Sequence, residues 1–424
     1  MTTQTKHSGI EWIGDIPAHW KTCKYKYFTE NGMGETILKE DLKSNGIPVY
    51  SATQEDVCFG FIDNPRVVLH KGDFIIPARG NSIGCVSFVK DEIATCTQTT
   101  IYSKLTGRPI VDKYLFYCAL GLKDIWFKFD QTAIPQITVA QVENNIVPLP
   151  ISESEQQAIA DYLDGECARI DGIVTTQRQI IERLKEYKKS VITEAVTRGL
   201  NPTAPMKDSG IEWIGKIPEH WEISKLKYYS KYITDGTHTT PEYLADGVPF
   251  LSIKDISAGK LDFSNTKYIS QQQHEELSKH APIEKGDILF TRIGTLGVSV
   301  IVETDITFDI FVSVGLLKPK DSINTKYLNY VMNSEYYYQY IQLVKAGGGT
   351  SAAKFNLSDV SNSPVVYPPL SEQQEIADYL DKKCTEVDTI IENREWMIEL
   401  MTEYKKSLIY ECVTGKKEIV DVME

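Results

Sequence analysis

The chain has 424 residues, 42% hydrophobic and 24% charged, which suits two or three globular domains with their own cores and excludes wholesale disorder. It shows no long apolar run, no basic-then-apolar leader before Ile10 and no CxxC pair among its eight cysteines, so a membrane span, a signal peptide, a disulfide framework and a zinc site are not expected; a reduced, cytoplasmic protein is. Net charge is −13, but residues 1–151 carry 15 Lys+Arg against 16 Asp+Glu while 371–424 carry 7 against 14; with no basic stripe visible, tight non-specific DNA binding by this chain alone is not expected.

The first segment, Ser8–Trp20, reads SGIEWIGDIPAHW. A middle of short β-branched and aromatic runs follows, such as Asp73–Ile76 and Cys85–Val89, separated by turn residues; it reads as a mixed, β-rich domain. Within it, KGDFIIPARGNSIGCV (Lys71–Val86) is a turn, a strand, an arginine and a glycine-flanked loop. Arg79, Asn81 and Ser82 are candidate contacts there, as are Gln131 and Gln136 in the later loop Gln131–Gln136, since Arg suits guanine or phosphate and Gln suits adenine. Arg79 reads equally well as a surface arginine in a salt bridge, and the later loop as a plain turn that needs no function.

From Glu153 to Arg198 there is no proline, and the pattern predicts one long helix, with Ser152 and Glu155 as a capping box and Gly199 and Pro202 as its stop. Leu163, Cys167, Ile170, Val174, Gln177, Ile181, Leu184, Lys188, Val191 and Ala195 step by 4 and 3, a coiled-coil seam.

The pattern then restarts. Ser209–Trp221, SGIEWIGKIPEHW, matches the opening segment at eleven of thirteen positions with an offset of 201. The second middle has β-rich runs at Ile288–Phe290 and Val298–Val302, and KGDILFTRIGTLGV (Lys285–Val298) lines up with the first KGD segment. Its candidate contacts are Asp235, Gly236, Thr237, His238 and Thr239 in the loop Asp235–Pro241; Arg292 and Thr295 after the strand; and Gly348, Thr350, Ser351, Lys354 and Asn356 in and after a glycine run.

The second exit helix begins near Ser371, expected as its cap, and ends at Gly415, repeating EQQAIADYLDGECARID and EYKKSVITEAVT at an offset of 217. Its seam is Leu380, Cys384, Val387, Ile391, Arg394, Ile398, Met401, Lys405, Leu408 and Cys412, with polar interruptions at the same two places as the first. The difference of 16 between the offsets must be absorbed between the opening segments and the EQQ blocks. Constant edges around a variable middle suggest a common frame holding two different readers. The expected fold is α+β: two β-rich mixed domains joined by two long helices in an antiparallel coiled coil, with internal pseudo-two-fold symmetry. The expected domains are 1–151, 152–207 (helix and linker), 208–370 and 371–424 (helix and tail). A helix of about 45 residues spans roughly 70 Å, long enough to act as a spacer.

No GxxxxGK[ST] phosphate loop or HExxH zinc signature is present, and Asn64-Pro65-Arg66 and Asn201-Pro202-Thr203 lack the second proline and aromatic of an amino-methyltransferase motif. Glu186-Tyr187-Lys188 and Glu403-Tyr404-Lys405 read as helix surface, and His19 and His220 as packing beside Trp20 and Trp221. No catalytic residue, metal or cofactor is therefore expected on this chain.

The chain resembles the specificity subunits of type I restriction–modification systems over essentially its whole length. The residues that carry this are the two SGIEWIG segments, the DGTHTTP loop (Asp235–Pro241), the KGD turns, and PLPISESEQQAIADYLD (Pro148–Asp164) with PPLSEQQEIADYLD (Pro368–Asp381). The resemblance implies that each middle is a target-recognition domain and each exit helix a spacer, so that the chain reads a bipartite, asymmetric site on double-stranded DNA. It also implies assembly with two modification subunits, which carry the S-adenosylmethionine chemistry, and optionally with ATP-driven restriction subunits, away from any membrane. The first middle departs from the pattern where DGTH is expected, offering only Glu30-Asn31-Gly32-Met33-Gly34. Against this stand a self-contained nuclease or methyltransferase, which lacks its motifs, and a two-domain protein-binding scaffold without DNA recognition.

Overall fold

The computed structural model describes residues 4–52, 58–80, 82–127, 136–346 and 353–419. The chain divides into two compact units, residues 1–178 with 395–424, and residues 179–394. Both long helices, Glu153–Arg198 and Leu370–Val413, pass from one unit into the other.

In the first unit, Thr5–His7 pairs antiparallel with Asp15–Pro17, and Lys21–Lys24 pairs with Ile146–Leu149, the strand that leads into the first long helix. An antiparallel sheet in the order Thr29–Met33, Thr100–Leu105, Phe74–Pro77 and Ser87–Phe88 forms the centre, and its strand Phe74–Pro77 is wholly buried. A second sheet holds Ile47–Tyr50 parallel to Ile93–Cys96. The second unit repeats both: Ser230–Asp235, Val314–Pro319, Ile288–Thr291 and Ser299–Ile301 in one sheet, and Val248–Leu251 parallel to Asp309–Ile310 in the other.

Equivalent pairings locate most of the 16-residue surplus. Tyr50 and Leu251 hold equivalent places at an offset of 201, whereas the KGD turns, Lys71 and Lys285, already stand 214 apart. The segment between them is longer in the second unit and includes the helix Gln271–Leu277, started by Ser270, whose hydroxyl accepts from the Gln273 amide at 3.2 Å.

The long helices run antiparallel to each other within each unit. In the first, Ile159, Leu163, Cys167 and Ile170 share a core with Leu408, Ile409, Cys412 and Val413, and Val174 and Met401 pack against it. In the second, Ile192, Ala195 and Val196 pack with Ile376, Ala377, Leu380 and Cys384. Of the other seam positions, Ile181 and Val387 are buried, and Leu184, Ile391, Ile398 and Met401 are half-buried. The seam lysines are partnered across the helix pair: Lys188 Nζ donates to Asp388 at 2.6 Å, and Lys405 Nζ donates to Asp171 at 2.7 Å.

The repeated EQQ block locks each helix to its own domain. The Glu155 carboxylate accepts from the indole N–H of buried Trp20 at 2.8 Å and contacts His19, and Glu372 accepts from Trp221 at 2.9 Å beside His220. Gln156 Oε1 accepts from the Val111 amide at 2.9 Å, as Gln373 does from Asn324 at 2.8 Å. Asp164 and Asp381 each accept a tyrosine hydroxyl, from Tyr117 and Tyr330, at 2.8 Å. Two capping expectations are corrected here. Glu155 is drawn to Trp20 because a buried indole N–H needs an acceptor more than the exposed first turn does, and the second helix begins at Leu370, placing Ser371 inside its first turn. Glu155→Ala is expected to cost about 1–3 kcal/mol by leaving that N–H unpaired; thermal unfolding of the purified chain measures it.

Candidate nucleic-acid interface

In each unit the same five segments meet at one edge of the central sheet, held by the same backbone bonds. In the second unit the loop after Ser230–Asp235 lies along the turn that joins Asp309–Ile310 to Val314–Pro319. Thr237 N donates to Ile310 O at 3.2 Å, and Val312 N donates back to Thr237 O at 3.0 Å. The residue after Ile288–Thr291 joins this turn through Arg292 N to Ser313 O at 3.0 Å, and the returning chain joins through Phe355 N to Arg292 O at 2.8 Å. Leu251, at the end of Val248–Leu251, completes the edge, its carbonyl accepting from the Phe311 amide at 2.9 Å, as the Tyr50 carbonyl accepts from the Thr97 amide at 2.9 Å in the first unit.

The first unit copies this. Glu35 N donates to Cys96 O at 3.0 Å, Gln98 N to Glu35 O at 2.8 Å, Ala78 N to Thr99 O at 2.9 Å, and Ile137 N to Ala78 O at 3.1 Å. Met33-Gly34-Glu35-Thr36 is therefore the counterpart of Asp235-Gly236-Thr237-His238. The stretch Glu30–Gly34, which the sequence offered here, ends two residues short of it, since glycine alone is shared. A methyl on Gly34 would collide with the Thr97 carbonyl, and one on Gly236 with the Ile310 carbonyl, so both loops need the missing side chain to lie against the neighbouring strand.

The side chains on this common frame differ. In the second unit, Arg292 is buried and its guanidinium is paired with the buried Asp235 carboxylate, with a further bond from Nη1 to Val312 O at 3.1 Å. His238 Nε2 bonds to the same Asp235 oxygen at 3.1 Å, while its ring is 71% exposed. In the first unit those places hold Met33 and Ala78, so no ion pair forms. Glu35 instead anchors its loop by accepting from the Arg66 amide at 3.0 Å and the Thr95 hydroxyl at 3.0 Å. Beside it Ser51, Thr97 and Thr99 form a hydroxyl cluster, Thr97 and Thr99 lying 2.8 Å apart.

The equivalence expected of Arg79 and Arg292 is corrected by strand register. Arg79 bridges Gln136 where Ile293 bridges Lys354, so Arg292 corresponds to Ala78. One residue of slip reverses the face: Arg79 is exposed and Arg292 is turned inward. Of the remaining candidates, Gln136, Thr239, Thr295 and Lys354 are exposed, Thr237 and Asn356 half-buried, and Gly236 and Ser82 buried. Asn356 Nδ2 donates to Asp359 at 3.2 Å at the start of the helix Leu357–Asn362. Asn81, Gln131, Gly348, Thr350 and Ser351 lie outside the described residues.

Near this edge, burial lifts the Asp309 carboxyl above its ordinary value, opposed by His274 Nδ1 at 2.7 Å. Burial likewise pushes the Cys96 thiol up to about 11. The KGD aspartates are turn supports: Asp73 accepts from the His70 amide at 2.8 Å, and Asp287 accepts from the Glu284 amide at 2.8 Å and from Lys318 at 2.7 Å. Burial raises the Asp287 carboxyl, and the bond from the Lys318 ammonium opposes it. Among the described residues no group of three or more His, Cys, Asp or Glu could hold a metal ion, and no helix is long and apolar enough to cross a membrane.

The family model described as the type I restriction modification DNA specificity domain matches residues 17–186 and 218–399. The chain is 26% identical over 419 residues to the type I restriction enzyme MjaVIII specificity subunit of Methanocaldococcus jannaschii, covering 95% of this chain and 93% of that one. It is 25% identical over 319 residues to the EcoBI specificity subunit of Escherichia coli, covering 72% and 66%. A solved chain described under complex assembly and conformational transition of the type I R-M system matches with a TM-score of 0.67 and 16% identity, over 95% of this chain and 99% of that one. That likeness concerns the fold.

Proposed function

Since the chain belongs to the type I restriction modification DNA specificity family, we propose that its two units read the two halves of a bipartite, asymmetric site on double-stranded DNA. The carrying observation is that both units assemble the same five segments on the same backbone bonds and then dress that edge differently. Arg292, Asp235 and His238 stand in one, and Ala78, Met33 and Thr36 in the other. An identical frame with unlike side chains suits two readers of unlike sequence, since base edges are distinguished by the donors and acceptors placed against them.

On this reading the chain is not itself an enzyme. It directs two modification subunits, which supply the S-adenosylmethionine chemistry, and, where present, ATP-driven restriction subunits. The antiparallel helix pair serves as the spacer between residues 1–151 and 208–370, which act as the two recognition domains. The test is to sequence methylated sites in cells carrying this subunit with its modification partner, before and after residues 22–150 are exchanged for those of another specificity subunit. The expected result is a bipartite motif that changes in one half only. An undivided motif, or methylation by the purified chain alone, overturns the proposal.

A further inference from the structure

The loop Asp235–Pro241 divides its residues between anchoring and presentation. Its root is fixed by the backbone bonds of Gly236 and Thr237 and by the buried Asp235–Arg292 pair. Within it, the Thr237 hydroxyl bonds to both the amide and the carbonyl of Thr239 at 3.2 Å, closing the chain beneath His238. His238 is the residue of this loop whose side chain combines outward exposure with a fixed polar tie inward.

That tie sets the chemistry of the ring. The Asp235 carboxylate can only accept, so the Nε2 bonded to it at 3.1 Å carries the hydrogen. In its neutral form the imidazole then holds its lone pair on Nδ1, for which no partner stands among the described residues, on a ring 71% exposed. A fixed, outward acceptor of this kind matches the exocyclic amino groups of DNA in the major groove, adenine N6 or cytosine N4, and mismatches guanine O6 and thymine O4, which are acceptors themselves.

We infer that His238 is a specificity-determining residue of the second reader, accepting a hydrogen bond through Nδ1 from the amino group of an adenine or cytosine in its half-site, with Asp235 and Arg292 as positioning residues. The inference rests on the DNA-reading function proposed above. The first unit carries Met33 and Thr36 at the positions of Asp235 and His238, so this recognition belongs to one half of the site alone.

The experiment compares the methylated motifs of cells expressing the wild-type subunit, His238→Ala and His238→Gln with the same modification partner, alongside thermal unfolding of each purified chain. The wild-type motif is expected to contain an A or C in the second half that becomes degenerate in His238→Ala. Discrimination there should fall on the order of 10- to 100-fold, with the first half and the unfolding temperature unchanged. His238→Gln, which retains an acceptor, is expected to keep part of the preference, and the base retained tells adenine from cytosine. A His238→Ala motif identical to wild type overturns the inference, as does equal loss of both halves with unchanged unfolding. A wild-type motif that is not bipartite overturns the underlying reading as well.

Discussion

Gly236→Ala is expected to erase recognition of one half-site while the other is read as before. The backbone at Gly236 is one that any residue adopts; what forbids a side chain is space, because a methyl there falls inside the contact distance of the Ile310 carbonyl and close to Phe311. Both obstacles are backbone of the neighbouring turn, so no side-chain rotation relieves them, and the loop must lift. Overpacking of this kind costs about 1–3 kcal/mol. The functional effect is larger, because the bonds of Gly236 to Val314 and of Thr237 to Ile310 fix the height of the whole loop. Each lost base contact of about 1–3 kcal/mol lowers discrimination roughly 5- to 150-fold. Gly34→Ala is the matched experiment for the other half, its obstacle being the Thr97 carbonyl. Methylated-site sequencing of the two variants checks both, and coincident loss in the same half by both would be incompatible with one reader per unit.

Arg292→Met carries the largest expected stability effect. Its guanidinium and the Asp235 carboxylate are 10% and 6% exposed, and removing the guanidinium leaves a buried carboxylate without its permanent cation, the His238 bond at 3.1 Å remaining. Such a change costs about 3–5 kcal/mol. The first unit shows that the frame also accepts uncharged residues at these two places, Met33 and Ala78. The double variant Asp235→Met, Arg292→Ala is therefore expected to be more stable than Arg292→Met alone, by roughly 1–3 kcal/mol of coupling. Amide hydrogen exchange on Ile288–Thr291 reports this locally, without requiring the two units to unfold together. Equal protection in the single and double variants would contradict the assignment of a buried, coupled pair.

Much of this arrangement was legible in the sequence wherever periodicity or repetition carried it. The 4,3 stepping through Leu163, Ile170 and Ile181 is a local property of a helix, and it survives into the buried seam. The SGIEWIG and EQQ blocks repeat because they touch each other: Trp20 with Glu155, Trp221 with Glu372. Two features resisted. Met33-Gly34-Glu35-Thr36 matches Asp235-Gly236-Thr237-His238 only at glycine, and their equivalence lies in hydrogen bonds to another strand, which sequence spacing does not encode. The arginines misled for a related reason. Arg79 and Arg292 both follow a strand, but a shift of one position in an alternating element exchanges inside for outside.

The partition of the long helices also bears on the order in which the protein forms. The unit spanning residues 179–394 is continuous in the chain, so it can complete itself once that stretch has been synthesised. The N-terminal unit cannot: Ile159, Leu163 and Ile170 are covered by Leu408, Ile409 and Val413, and the Tyr114 hydroxyl reaches the Val413 carbonyl at 3.4 Å. At about 5–20 residues per second, the ribosome takes roughly 10–50 s to travel from the end of the first of these segments to the second. The part made first is thus the part finished last, and a chain broken off before its final helical turns loses the integrity of its beginning, not of its middle.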